Sequence, residues 1–423
     1  MNMNKKNTGG ILSLISKGLV TCDSRTGARN YDEFNSDTEI TKVIQKNPLS
    51  ILRVTMAHCD PRYSGTSDAE TMHTAKQNFQ NLIDQKIFTH IHNFVTVYRI
   101  THPSAGRPVQ IGLGCMMHTD AIYDPVSNPS GRIIRNEAIY DHKAMNRAQL
   151  IQKTRSMIGA VNICAEDPNK SFLNRLLSSA VLNNCPDVRS EDDMKNVHEV
   201  WVITDTKESN ELLEAACTGE FYVADGNHRS RAAALSLSEK FFAVVFPASS
   251  MHIDPYHRLI RSRIADTNDF ISRMEQAGFS FTGVSTLPTL RNEPVLREKV
   301  YMYFPACRQL PFSESGLAEL TLPECRSESP REKNPASIIE KILLHGILNL
   351  DPGSGDVAYI GGDYPESYLF SEVDKGAASA AVFMPSLTMP QFISINKARE
   401  MLPRKTTWFT PKVRSGLVIA LLP

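Results

Sequence analysis

The sequence predicts an α+β fold, with mixed sheets and packed helices, in a chain long enough for two or three domains. Helix and strand signals alternate along its 423 residues without an internal repeat. Some neighbouring strand signals are joined by short turn sequences, as in hairpins, whereas others are separated by helical segments. This mixture favours an α+β fold over a doubly wound parallel sheet.

Capping signals and residue periodicity predict the elements of the first part of the chain. Two Ser-x-x-Glu capping boxes, at 36–39 and 67–70, predict helices that run to about residues 45 and 86. The turn sequence His-Pro-Ser-Ala-Gly predicts a hairpin between the two strands that flank it. The predicted strands are 51–56, 94–100, 109–117, 199–204, 221–224 and 241–246, and the further predicted helices are 141–158 and 208–217.

A second region begins near residue 266 and has its own helix and strand signals. Strands are predicted at 300–304 and 380–384, and helices are predicted after the caps Asn334-Pro335 and Thr388. The segment 323–335 is rich in Pro, Ser, Glu and Arg and predicts a surface loop or short linker. We therefore predict a disordered N-terminus over 1–20, a core domain over 21–265, and a C-terminal α+β domain over 266–423.

Charge and cysteine content narrow the class of protein. Lys+Arg and Asp+Glu both number 46, so no overall field attracts nucleic acid or an anionic membrane. The eight cysteines are scattered singly without zinc-type spacing, which favours reduced thiols, and we interpret the His58-Cys59 pair as a coincidence. The apolar stretch 11–20 is short and interrupted by polar residues, so it makes a poor signal peptide and no membrane span. We expect a cytoplasmic enzyme.

The run Phe-Tyr-Val-Ala-Asp-Gly-Asn-His-Arg-Ser-Arg-Ala-Ala-Ala at 221–234 predicts a buried strand, a glycine turn and a helix. Gly226 permits a positive φ, and the helix that follows directs its free N–H groups back at the turn. His228, Arg229 and Arg231 place positive charge in the first turns, which opposes the helix dipole unless an anion binds there. We interpret the run as a phosphate-binding turn; the alternative, with arginines facing solvent, is about equally favoured by this run alone.

Two more basic clusters strengthen the phosphate interpretation. One is Asp-Pro-Tyr-His-Arg at 254–258, which we interpret as a turn followed by a second His-Arg pair. The other lies in the segment 402–416, where Lys405, Lys412 and Arg414 occur. Three compact basic clusters in a chain of zero net charge indicate a local site for a small polyanion.

The Ala-Asp-Gly-Asn-His-Arg element resembles the Asp-Gly-His-His-Arg signature of the free L-serine kinases of the ParB/sulfiredoxin-like superfamily. The chain from about residue 20 to 423 resembles more closely a long branch of that group, which includes pyrophosphate-dependent L-serine kinases. The further matching blocks, in chain order, are 28–32 with 47–54, 136–147, 256–258 and 405–419. Asn227 and Asn136 depart from the resemblance, because the family usually has histidine at both positions.

The resemblance implies a role for each block. It implies a ParB-like kinase core over 21–265 and a basic tail that the domain 266–423 contributes to the site. Glu137 would accept the proton of the serine hydroxyl, and Asp225 would bind Mg²⁺ or share in catalysis. The substrate's charged groups would be held by Arg29, Tyr31 and Asp32. The donor phosphates would be held by Asn227, His228, Arg229, Arg231, His257, Arg258, Lys405 and Lys412.

The residue pattern alone also allows purely structural roles for several of these charged residues. Asp225 can cap the turn that follows it, and Glu137 can be a favourable charge in the first turn of a helix. Asp141 and Arg147 can pair along one helix face.

The donor and the class of activity also have alternatives. The sequence contains no P-loop and no protein-kinase loop, which agrees with a pyrophosphate donor. An aromatic slot formed by Tyr222 or Tyr256 would instead favour ATP or ADP. The other alternative is a non-catalytic, ParB-like nucleotide-binding regulatory module. The expected partners are L-serine and pyrophosphate, with no nucleic acid and no membrane.

Overall fold

The computed structural model of the protein describes residues 10–34, 36–65, 67–104, 107–137, 141–217, 219–288, 299–305, 313–351 and 355–423. At positions 32, 141 and 143 it describes only the backbone. The α-helices are α1 (Asp37–Lys46), α2 (Leu52–Thr55), α3 (Asp68–Asp84), α4 (Asp141–Thr154), α5 (Ser171–Leu177), α6 (Thr206–Ala216), α7 (Asn227–Leu235), α8 (Thr267–Gln276), α9 (Pro335–Ile338), α10 (Glu366–Asp374) and α11 (Met389–Lys397). A π-helical segment, Ile339–Ile347, continues α9.

The strands confirm a mixed α+β fold. They are β1 (Leu12–Ser13), β2 (Ile15–Thr21), β3 (Phe88–Thr101), β4 (Gln110–His118), β5 (Ile133–Arg135), β6 (Ser156–Met157), β7 (Val161–Ala165), β8 (Val188–Glu191), β9 (Val197–Ile203), β10 (Phe221–Asp225), β11 (Lys240–Pro247), β12 (Ile253–Asp254), β13 (Tyr256–Ile260), β14 (Ser280–Gly283), β15 (Val300–Tyr303), β16 (Leu317–Thr321), β17 (Val357–Gly361), β18 (Ala380–Phe383), β19 (Trp408–Phe409) and β20 (Val418–Leu421). In the parts of the chain described above, each helix is too short or too polar to cross a lipid bilayer.

The first of two compact units comprises Met1–Arg135, Ile139–Met251 and Pro411–Pro423. Its sheet has the strand order β5-β10-β7-β11-β4-β3-β2-β20-β6, with β1 paired to β4, β9 to β3, and β8 to β9. The predicted hairpin is confirmed, because β3 and β4 pair antiparallel, whereas β5 runs parallel to β10 and β7 parallel to β11. Helices α1 to α3 bury their apolar faces against Leu19 and Ile419 of this sheet.

The second compact unit comprises Asn136–Ala138 and His252–Thr410. Its antiparallel sheet has the order β14-β16-β15-β18-β13-β17, and β12 pairs separately with β19. Alternate residues of the central strands enter different cores. Leu259 and Tyr301 pack with α10, whereas their neighbours Ile260 and Met302 pack with α8 and the π-helical segment. The predicted caps are confirmed, since Asn334 and Thr388 accept hydrogen bonds at the starts of α9 and α11. The predicted domain boundary between residues 265 and 266 differs from the boundaries of these compact units. The division of the chain into domains at that point stays a prediction.

The strand predicted at 51–56 is wrong, because this segment forms α2. Its β-branched residues favour a strand locally, but Val54 N donates to Ile51 O and Met56 N donates to Leu52 O. Arg53 is buried here, and its guanidinium binds the Asp60 carboxylate at 2.9 Å and the Asn78 amide oxygen at 3.1 Å. These tertiary contacts override the local preference.

Two other element boundaries differ from the sequence predictions. The disordered N-terminus predicted over 1–20 is wrong for residues 12–20, which form β1 and most of β2, paired with β4, β3 and β20. Residues 1–9 lie outside the described residues. The helix predicted to reach residue 158 ends at Thr154, because Arg155 adopts a left-handed φ of 51° and the chain turns into β6.

Candidate active site

A strand, a glycine turn and a helix form at 221–235, as predicted. All residues of β10 are buried, and α7 begins immediately after Gly226, which has a φ of 94°. The turn requires glycine for this positive φ, and a Cβ at this position would lie 2.9 Å from Arg229 Nε, so a side chain there would also displace the guanidinium. Gly226 provides no side-chain cap, and the first turn of α7 contains no acidic residue. This helix start therefore suits an anion.

Asp225 lies between two cationic side chains. Lys412 Nζ donates to Asp225 Oδ1 at 2.7 Å, and the Arg229 guanidinium donates to Asp225 Oδ2. The side chain of Asp225 is 10% exposed, that of Lys412 is 6% exposed and that of Arg229 is 14% exposed. Lys412 reaches this point from the last segment of the chain, far from β10 in sequence. The predicted meeting of the tail with the Asp225 turn thus occurs through Lys412.

Arg229 also binds neutral groups that the sequence analysis did not single out. Its Nη1 donates to Asn30 Oδ1 at 2.8 Å and to Ala160 O at 2.6 Å. Ser415 Oγ donates to the same Asn30 oxygen at 2.8 Å. A Cβ at Gly159 would lie 2.7 Å from Ser415 Oγ, so the backbone there passes close to the cluster. Asn30 and Ser415 lie in the blocks 28–32 and 405–419, which resemble the free L-serine kinases. That resemblance is the only feature of the sequence that could have indicated these two residues.

A cavity of about 60 Å³ lies beside Arg229. Its polar lining includes Asn30, Tyr31, Arg147 and Ser415, and its apolar lining includes Phe241. Arg147 lies 3.8 Å over the Tyr31 ring and donates to Thr55 O at 2.7 Å. The side chain of Asp141, its predicted default partner, lies outside the described residues, so that pairing stays a prediction. The predicted substrate residue Tyr31 therefore lies at a cavity that also contains a guanidinium.

Asn162 has a buried side-chain oxygen without a hydrogen-bond donor among the described residues. It is opposite Asp225 in the ladder between β7 and β10. A buried unpaired acceptor costs free energy unless a ligand or water donates to it. Asn162 is thus a further candidate contact next to Asp225.

Arg29, a predicted substrate residue, binds acidic side chains instead of lining this cavity. Its guanidinium lies 3.0 Å from the Glu39 carboxylate, 3.1 Å from the Asp193 carboxylate and 4.4 Å from the Phe34 ring centroid. Two carboxylates therefore compete with any substrate carboxylate for this arginine. The third predicted substrate residue, Asp32, has a side chain outside the described residues.

Arg414 from the third basic cluster is surrounded by acids. It binds the Asp192 carboxylate and lies 3.6 Å from Glu33 Oε2. Burial alone would raise the pKa of Asp192, but the His198 hydrogen bond and the Arg414 charge hold that pKa well below its usual range. Burial lowers the pKa of His198, whose Nδ1 is 3.1 Å from the hydroxyl of Tyr98. This network fixes the segment next to Lys412.

The predicted base Glu137 and the tail residue Lys405 meet within the second unit. Lys405 N donates to Glu137 Oε1 at 3.0 Å, and Leu402 N donates to Asn136 O at 2.9 Å. Lys405 Nζ donates to the Tyr256 hydroxyl at 3.2 Å and lies 5.2 Å from that ring centroid. The blocks that contain Glu137 and Lys405 are therefore joined by direct hydrogen bonds.

The turn predicted at 254–258 is a strand over most of its length, and its His-Arg pair is buried. His257 Nδ1 accepts a hydrogen bond from Met384 N at 3.0 Å. Arg258 is fully buried, lies 3.3 Å from Glu340 Oε1, and stacks 4.9 Å from the Tyr359 ring centroid. These contacts indicate a structural role for Arg258, and a phosphate role for either residue stays a prediction.

The remaining predicted phosphate residues lie in the first turns of α7. Asn227 is buried, whereas His228 and Arg231 are partly exposed and three positions apart on the helix. Their roles stay predictions.

Comparisons with known proteins add a family and several distant structures. The family model described as a protein of unknown function (DUF1015) matches residues 24–310. No curated protein sequence matches the chain. A mutant of free serine kinase in complex with AMP has a TM-score of 0.38 and 10% identity, covering 75% of this chain and 95% of that chain. SbnI with a C-terminal truncation, from Staphylococcus aureus, has a TM-score of 0.38 and 10% identity, covering 73% of this chain and 87% of that chain. A conserved hypothetical protein from Pyrococcus furiosus has a TM-score of 0.37 and 10% identity, covering 71% of this chain and 94% of that chain.

Proposed function

We propose that this chain, which belongs to the DUF1015 family, is a phosphotransferase that converts free L-serine to O-phospho-L-serine with pyrophosphate as the donor. The observation that carries the proposal is the pair of buried cations, Arg229 and Lys412, on either oxygen of Asp225 at the Gly226 turn. The sequence resemblance to the free L-serine kinases supplies the substrate class, and we place the chain with them in the ParB/sulfiredoxin-like superfamily.

The charge arrangement supports phosphate binding at this turn. Asp225, Arg229 and Lys412 together carry one net positive charge in a largely buried place. The helix α7, whose first backbone N–H groups have no acceptor within the helix, begins two residues after Asp225. Phosphoryl transfer passes through a loose transition state, so catalysis depends on positioning and charge stabilisation. Cations already fixed by Asp225 and Asn30 need little rearrangement to stabilise that charge.

The cavity beside Arg229 is the proposed place for serine. Arg147 can bind the substrate carboxylate, because its guanidinium is oriented by the Tyr31 ring and by Thr55 O. Asn30 links this cavity to Arg229 through one hydrogen bond of 2.8 Å. The acceptor hydroxyl would then lie next to the donor phosphate.

We propose Glu137 as the general base and a positioning role for Asp225. Both oxygens of Asp225 accept hydrogen bonds from cationic side chains, so this carboxylate orients Arg229 and Lys412. Glu137 Oε1 accepts a hydrogen bond from the backbone N–H of Lys405, which fixes the orientation of the carboxylate. In the proposal this carboxylate accepts the proton of the serine hydroxyl.

Mg²⁺ remains part of the proposal as a companion of the donor phosphates, which such ions commonly neutralise. Asp225 does not fit as its ligand, because Lys412 and Arg229 already place positive charge on both of its oxygens. We therefore derive no step through a metal ion at Asp225.

The two tyrosines considered for a nucleotide slot are engaged by protein groups. Tyr222 is fully buried, with its hydroxyl bonded to Glu166, and Tyr256 packs edge-on against Trp408 at 5.0 Å. These contacts weigh against adenine stacking at either ring and favour a donor without a base. A cytoplasmic location is proposed with the activity.

The test is an assay of phosphoserine formation with each donor in turn. Purified protein is incubated with L-serine, Mg²⁺ and either pyrophosphate, ATP or ADP, and phosphoserine is measured by mass spectrometry. We expect product with pyrophosphate alone. Product with ATP or ADP alone would overturn the donor assignment. Absence of product with every donor, together with measurable nucleotide binding, would overturn the enzymatic proposal in favour of a regulatory module.

A further inference from the structure

A second group of chemically reactive side chains lies in the first unit, apart from Asp225 and its cations. One ligand atom each from Asp37, His58 and Cys59 lies within 4.8 Å of the others. His58 Nε2 is 3.4 Å from Asp37 Oδ2. Among the described residues this is the group in which three potential metal ligands converge.

Three structural features bring these residues together and keep them there. Asp37 is the first residue of α1, directly after the cap Ser36. His58 and Cys59 lie in a 3₁₀ turn that follows α2. Thr41 Oγ1, one turn further along α1, donates to Cys59 O at 3.1 Å and ties that turn to the helix. The ligand atoms are thus carried by regular elements that are hydrogen-bonded to each other.

The distances suit a small tetrahedral ion. Zinc ligands at about 2.0–2.3 Å from the metal are separated from each other by about 3.5 Å. The His58–Asp37 separation of 3.4 Å already has this value. The other separations in the group are at most 4.8 Å, which is about 1.3 Å more than the separation in a zinc site.

The surroundings leave room for a further ligand. Asp37 and His58 line a cavity of about 580 Å³, together with hydroxyl-bearing side chains such as Tyr63 and Thr71. Cys59 itself is buried, whereas Asp37 and His58 are exposed on the cavity side. Three protein ligands and one position open to solvent is the arrangement of zinc sites that bind water or an anion.

We propose that Asp37, His58 and Cys59 form a binding site for Zn²⁺, with a fourth coordination position open to the adjoining cavity for water or an anionic oxygen ligand. The mixed sulfur, nitrogen and oxygen set selects zinc over Mg²⁺ and Ca²⁺, which prefer oxygen ligands alone. None of the three ligands belongs to the proposed Asp225 site, although the adjoining cavity shares Tyr31 and Arg147 with the cavity proposed for serine. Zinc binding is measured without any assay of the proposed phosphotransferase activity, so the two proposals can fail separately.

The test measures zinc binding directly. The purified protein, stripped of metal by a chelator, is titrated with Zn²⁺ in competition with a chromophoric chelator. We expect one Zn²⁺ per chain, and a loss of affinity of at least about 100-fold in His58→Ala and in Cys59→Ser, since even indirect contacts contribute about 10–100-fold. Replacement of zinc by Co²⁺ should give a thiolate charge-transfer band that Cys59→Ser removes.

The controls use a histidine and a cysteine that lie outside the group. His73→Ala and Cys22→Ser change exposed side chains and should leave the zinc affinity unchanged. His58 is exposed, so its variant keeps the test decisive even if replacement of the buried Cys59 prevents folding. Equal zinc affinity in His58→Ala and in the parent protein, with both folded by circular dichroism, would overturn the proposal.

Discussion

Two His-Arg pairs in this molecule follow similar sequences but have opposite environments. His228-Arg229 follows Asp-Gly and opens a helix, whereas His257-Arg258 follows Asp-Pro and continues into β13. In the helix, Arg229 folds back over the Gly226 turn onto Asp225. In the strand, Arg258 is directed into the protein interior, where Glu340 and Tyr359 contact it.

The difference lies in how each positive charge is compensated. Arg229 shares one carboxylate with Lys412, whereas Arg258 has the Glu340 carboxylate as its ion-pair partner. Two cations on one carboxylate have a net positive charge that an added anion can neutralise. A one-to-one buried ion pair has no net charge and therefore does not attract an anion. The backbone after a basic motif therefore decides whether it can bind a ligand, and the charge pattern alone does not.

The largest expected effect separates the two carboxylates proposed for the site. Glu137→Gln should lower kcat by a factor of about 10²–10⁴ with little change in donor binding, because the amide keeps the shape but cannot accept the proton. Asp225→Asn should instead raise the donor KM, because Arg229 and Lys412 lose the charge that positions them. Steady-state kinetics of both variants across a magnesium titration provide the measurement. An inactive Asp225→Asn beside a nearly active Glu137→Gln would reverse the two roles.

The next prediction concerns the buried pair of the second unit. Arg258→Met should lower the free energy of unfolding by about 3–5 kcal/mol, because Glu340 would be left as a buried charge without its cation. The pairwise replacement Arg258→Met with Glu340→Leu should recover much of that loss. Denaturant unfolding measures both variants. Unchanged stability together with a raised donor KM would show that Arg258 binds phosphate and would remove the contrast with Arg229.

Arg229 itself should affect the donor more than the fold. Arg229→Ala should cost about 2–4 kcal/mol in transition-state stabilisation and raise the donor KM much more than the serine KM. Arg229→Lys keeps the charge but loses the planar guanidinium that donates to Asp225, Asn30 and Ala160 together, so its kinetics should be intermediate. Arg25→Ala, at a guanidinium that is 68% exposed, is the matched control and should behave like the parent protein. Parent-like kinetics in a folded Arg229→Ala protein would exclude this arginine from the site.

The smallest expected effect tests the acid-surrounded Arg414 network, which resembles the Arg258 pair more than the Arg229 cluster. The pKa of His198 is lowered in the folded protein by burial, so between that value and about 6.5 the unfolded chain binds more protons. Stability should therefore fall as the pH drops below about 6.5, by up to about 1.4 kcal/mol per pH unit. Urea unfolding at several pH values measures this slope, and His198→Gln should flatten it. A slope that persists in His198→Gln would assign it to other groups.

The parts of the site that were predictable from the sequence are local. Gly226 between a buried apolar run and an alanine-rich helix start predicts the turn and places Asp225 and Arg229 at it. The contacts that complete the site come from distant positions, Asn30, Gly159 and Ser415, and no local periodicity encodes such meetings. The same limit applies to Asp37, which joins His58 and Cys59 only in three dimensions.

The errors in secondary structure have a similar origin. The segment 51–56 has strand-forming residues, but the buried Arg53 is fixed by Asp60 and Asn78, which come later in the chain. The strands β1 and β2 were missed because their sequences contain Ser, Lys and Gly, and only pairing with β4, β3 and β20 stabilises them. In each case, contacts with residues distant in the sequence determined the secondary structure.

The position of β20 inside the sheet of the first unit has a consequence for biosynthesis. β20 pairs with both β2 and β6, yet residues 252–410 must be translated before it. At about 5–20 residues per second, that interval is on the order of ten seconds. During this time the nascent chain lacks Lys412 and exposes the unpaired edge of β2, which is a known route to aggregation. A molecular chaperone that covers this edge during translation would therefore raise the yield of folded protein.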